Sequence, residues 1–129
     1  MPRHETKDKN TGLERYRYAS EKLAMAIYRL ATGQGKIKVR LLESFIELAI
    51  LSEQYFPEEL RAEYRDIFKT LTKNQPRLVN RIVDGKIVEV SSSKAEATIP
   101  YMRIKTAVAV AESIVNLDAR LNEWLRLSG

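Results

Sequence analysis

Only one residue in this chain carries an imidazole, His4, and none carries a thiol. Acyl transfer by a Ser, His and acid set needs a histidine held between a nucleophile and an orienting carboxylate. His4 stands among charged and polar residues in the opening stretch, where nothing fixes it. A di-iron bundle requires Glu-x-x-His pairs, a helical zinc site requires paired histidines, and thiolate metal sites require cysteine. The parts for these reactions are missing, so no catalytic residue, metal or cofactor is expected.

Two weaker signals concern anions and hard cations. Gly33, Gln34, Gly35 and Lys36 suggest a phosphate loop, because glycines let backbone N–H groups approach an anion at a helix start. A Walker loop also needs a glycine five positions before its Gly-Lys pair and a Ser or Thr after it. The positions hold Leu30 and Ile37. A helix stop followed by a helix start accounts for both glycines. Glu59, Glu63 and Asp66 share one side of a helix at spacings of four and three. That side lies away from the apolar stripe and is expected to be solvated.

Charge is distributed unevenly along the chain. The first 40 residues sum to +6 and residues 41–73 to −3, within a total of +5. A basic third can recruit an anionic partner or face an acidic element of its own fold. Lys36, Lys38 and Arg40 are the candidate nucleic-acid contacts, since lysine and arginine neutralise phosphates and release counterions. Arg15 and Arg17 fall on opposite sides of their helix, and the second helix is too apolar for a base-reading helix. Nucleic-acid binding is therefore the alternative reading.

The leading reading is association. Tyr18, Met25 and Tyr28 lie off the apolar stripe of the first helix beside Lys22 and Arg29, a mixture typical of interface centres. Val110, Leu117, Leu121 and Trp124 extend a long apolar seam on the last helix. These seven residues form the candidate interface. A non-enzymatic helical protein acting through protein contacts, most simply as a homodimer, is expected from them, because the second and last helices are apolar over more of their circumference than one small bundle covers.

The elements that must position these residues follow from periodicity. Helices are expected at about 13–32, 36–52, 57–73 and 98–127. Gly33 and Gly35 separate the first two, and Pro57 and Pro100 suit the first turns of the last two. Between 78 and 90 the pattern changes to β-formers around Asp84-Gly85, the preferred pair for a type I′ hairpin turn. Ser91, Ser92 and Ser93 read as a flexible joint. The fold expected is mainly α, a four-helix bundle with a short β-hairpin insertion. It forms one domain over 13–129, behind a charged, disordered tail at 1–12. No apolar run is long enough to span a bilayer, the opening does not resemble a signal peptide, and the lack of cysteine suits a reducing compartment. A cytoplasmic location is expected.

Overall fold

A computed structural model describes the backbone of residues 2–128 and the side chains of residues 12–128. Among the described residues the protein is mainly helical, with five α-helices and one antiparallel hairpin. Helix α1 spans Pro2–Thr32 and α2 spans Ile37–Ala49. After two single 3-10 turns, Glu53–Tyr55 and Glu58–Leu60, α3 runs over Arg61–Leu71. Strands β1 (Leu78–Val83) and β2 (Lys86–Ser91) follow, then α4 (Lys94–Thr98), a 3-10 turn at Ile99–Tyr101, and α5 (Ile104–Ser128).

Several boundaries differ from the periodic reading. The α1 backbone starts at Pro2, well before residue 13, so it includes most of the stretch expected to be a tail; Glu5, Lys7, Lys9 and Glu14 are good helix formers. The side chain of His4 lies outside the described residues. Pro57 precedes a 3-10 turn rather than opening α3 itself. The last helix, expected from residue 98, begins only at Ile104, because Pro100 sits in a 3-10 turn and Met102 is extended; the short α4 precedes that turn. The serine joint contains a helix start. Ser93 accepts from the Glu96 N–H at 3.0 Å, while its own N–H donates to the Glu96 carboxylate at 2.9 Å, a complete capping box. The Ser-x-x-Glu spacing was in the sequence and was masked by the neighbouring serines.

Helices α1 and α2 run antiparallel, since Lys22 and Arg29 of α1 meet Glu47 late in α2, whereas Gly33 lies against Arg40 and Glu43 early in it. Helices α1 and α5 are antiparallel by the same reasoning. Tyr16 packs edge-on against Trp124 and Ser20 donates to Asn122, while Ile27 and Ala31 border a groove with Val108 and Val115. The core fills the space enclosed by α1, α2, α3 and α5. Ala19, Leu23 and Leu30 meet Leu41, Leu48, Ile67, Ile114, Leu117 and Leu121 there. Phe56 stacks on Tyr64 at 4.8 Å beneath them. The Tyr64 hydroxyl lies 2.8 Å from the Leu51 carbonyl and 3.0 Å from that of Leu48, so its proton serves the carbonyls where α2 ends.

The hairpin pairs Leu78 with Ser91, Asn80 with Glu89 and Ile82 with Ile87, close to the expected 78–90. Asp84 and Gly85 both have positive φ, 52° and 77°, as the type I′ turn requires. The base is tied down by Arg77: its carbonyl accepts from the Ser92 N–H, its own N–H donates to Ser92 Oγ, and its guanidinium lies over the Tyr101 ring. Arg81 pairs with Glu96 of α4.

Candidate functional site

Two of the three residues expected to bind nucleic acid are engaged within the fold. Arg40 reaches back across the loop between α1 and α2, donating from Nη1 to the Leu30 carbonyl at 2.8 Å and from Nε to that of Gly35 at 3.2 Å. It thereby satisfies carbonyls left free at the end of α1. Gly35 takes φ 93°, so the glycine that suggested a phosphate loop serves a turn. Lys38 donates to the carbonyls of Pro100 and Met102, fixing the approach to α5. Of the three, Lys36 alone is exposed.

An acidic residue of α2 is likewise enclosed by the fold. Glu47 is buried against α1, with Arg29 at 3.2 Å and Lys22 at 3.5 Å from its carboxylate. Basic α1 thus faces an acidic residue of its own chain, one of the two origins that the charge asymmetry allowed. Helical spacing alone could not distinguish Glu47 from Glu43, because burial here depends on which side α1 takes.

The seven candidate interface residues separate into three groups. Val110, Leu117 and Leu121 are buried in the chain's own core and are not available to a partner. The reason is geometric: the centre of the α5 seam is shared between α1 and α3, which cover it from both sides. Tyr18 and Trp124 are partly buried, Tyr18 tilted on Tyr55 with Lys22 over its face, and Trp124 held by Tyr16. The far end of α5 is therefore paired with α1 and does not project alone as a docking arm. Met25 and Tyr28 remain on the surface, Tyr28 with 68% of its area exposed. They edge a groove between α1 and α2 whose rim includes Arg29 and Glu43.

What solvent meets on α5 is a flank beside its buried seam. Ile104, Val108 and Val115 are exposed, with Ala111 partly buried between them. Val108, Ala111 and Val115 line an apolar groove with Ile27, Ala31 and Ile37, edged by Glu112 and Asn116. The stripe ends at Asp118, whose carboxyl is pushed up by burial, an effect that hydrogen bonding to Asn122 opposes. A second apolar strip, Val39 and Ile46 of α2 with Ile50 just after it, is exposed, and Leu78, Ile82 and Ile87 stand out from one face of the hairpin. A monomeric surface normally scatters such residues, whereas here they recur along single faces.

Other groupings are polar and self-satisfied. Glu63 pairs with Arg120 across the groove between α3 and α5, which Asp66, Thr70 and Ser113 also line. The Ser93 N–H at its carboxylate holds Glu96 below the usual range against the opposing effect of burial, and Arg81 adds to the lowering. Among the described residues no group of three or more His, Asp or Glu is placed to hold a metal, and no helix is long and apolar enough to cross a membrane. No family model matches the chain, and comparison with curated proteins and with solved structures gives no significant match.

Proposed function

We propose that this chain is a cytoplasmic, non-enzymatic association module, a four-helix bundle of α1, α2, α3 and α5 whose working surface is the apolar groove between α1 and α5. The observation that carries this reading is the exposure of Ile104, Val108 and Val115 in one line on α5, with Val108 and Val115 beside Ile27 and Ala31. Covering a partly exposed valine or isoleucine side chain contributes about 1 kcal/mol. Several in a row supply an association energy that no scattered surface residue gives. The groove is preferred over the hairpin because Leu78, Ile82 and Ile87 alternate with Asn80, Glu89 and Ser91 on a two-stranded ribbon, a less rigid platform than two packed helices.

A photoreactive amino acid at position 108 tests the reading in the expressing cell, with the same group at exposed Glu58 as the control position. Adducts to a polypeptide from position 108 and few from position 58 are expected. Recovery of the chain uncrosslinked from both positions would remove the association reading.

A further inference from the structure

The apolar line on α5 is bordered on its solvent side by two opposite charges. Lys105 and Glu112 are seven residues apart, hence on the same flank, and separated by about 10 Å along the helix. Both are exposed, and neither forms an ion pair with a described residue. Ile104, Val108, Ala111 and Val115 follow one another at intervals of four, three and four, the spacing of a two-helix seam.

These features suit a copy of the same surface. Consider two α5 helices packed antiparallel about a two-fold axis level with the midpoint of Val108 and Ala111. Ile104 then lies opposite the partner's Val115, and Val108 opposite the partner's Ala111, so a large residue meets a small one at the centre. The two-fold axis keeps the charged flank on the same side in both copies. Lys105 therefore comes within about 3 Å, measured along the axis, of the level of Glu112 of the partner subunit, and the contact occurs twice. A parallel pairing in register would put the two charged flanks on opposite sides of the seam, where neither charge meets an opposite one. Small Ala31 at the edge of the groove leaves room for the approaching helix.

We infer that the groove is covered by a second copy of this chain, with α5 packed antiparallel on α5 and Lys105 paired to Glu112 of the partner subunit. This rests on the association reading above and names its partner.

Sedimentation of the full chain at low ionic strength tests it, using Lys105→Glu, Glu112→Lys and an equimolar mixture of the two variants. Both sites are exposed, so the fold is expected to persist, and circular dichroism checks that. The unaltered chain is expected to dimerise. Each variant alone places like charges at both contacts and is expected to dimerise at least about tenfold more weakly. The mixture restores opposite charges at both contacts and is expected to return to the original affinity as a heterodimer. A unaltered chain that stays monomeric to about 100 μM, weaker than a useful self-association, overturns the second-copy inference. An adduct from position 108 to a different polypeptide would in that case leave the association reading standing. A dimer indifferent to both charge reversals, or one that the mixture fails to restore, overturns the antiparallel arrangement.

Discussion

The hairpin and α5 both display β-branched and aliphatic residues to solvent, yet they are built by different rules. Ile82 at the hairpin tip is 78% exposed, and what shapes its strand is close in sequence: the Asp84-Gly85 turn, the register and the Arg77 to Ser92 closure. Leu117 of α5 is fully buried, and its surroundings come from segments more than forty residues away. Local chemistry suffices to form the ribbon but adds little to the stability of the body. Long-range packing carries that stability, and it also decides which flank of α5 is left bare. An apolar residue's contribution therefore depends on the neighbours that the fold supplies.

The largest separation between the two regions is expected from matched truncations. Leu117→Ala should destabilise the chain by about 3–4 kcal/mol through lost burial and an unfilled cavity. Ile82→Ala should change it by less than about 0.5 kcal/mol. Urea unfolding followed by circular dichroism measures both, and equal effects would mean that the hairpin belongs to the cooperative core.

Tyr64 sharpens the contrast through pH. Burial pushes its hydroxyl up from 10.0 to about 12. Between those values the unfolded chain has released the proton while the folded chain retains it, so stability falls as pH rises. The contribution is complete below pH 10 and is lost as pH climbs to about 12, with an upper limit of about 2–3 kcal/mol. Tyr64→Phe should flatten this alkaline slope. At neutral pH it should cost about 1–2 kcal/mol, because the Leu48 and Leu51 carbonyls lose their donor. Melting temperatures recorded between pH 7 and 11 check both effects.

The smallest effects belong to local devices. Ser93→Ala should remove about 1 kcal/mol by opening the capping box of α4. Gly85→Ala should strain the turn by a similar amount. The two should differ in reach. Amide exchange is expected to quicken only within β1 and β2 for the turn variant, whereas the cap variant lowers the unfolding midpoint, because Ala95 and Ile99 beside the cap are core residues.

The hairpin was readable nearly residue for residue because an Asp-Gly turn and alternating β-formers are local signals. Helix positions were readable from their period, and their ends less so: Pro100 stands in a 3-10 turn of its own, and a serine run hid a capping box. The candidate surface was read only in part. Met25 and Tyr28 are exposed as expected, whereas Val110, Leu117 and Leu121 are interior and the bare flank holds Ile104, Val108 and Val115. Both sets repeat at helical spacing, so periodicity could place them on α5 without saying which faced inward.

By itself the amino-acid order determined a mainly helical chain with a type I′ hairpin, because propensity, period and turn chemistry act over a few neighbouring residues. Only the tertiary structure decided that Arg40 caps α1, that Glu47 is enclosed by two cations, and that one flank of α5 lies open. Those outcomes depend on where α1 and α3 settle against α2 and α5, and packing sets this over sequence distances that no local pattern spans.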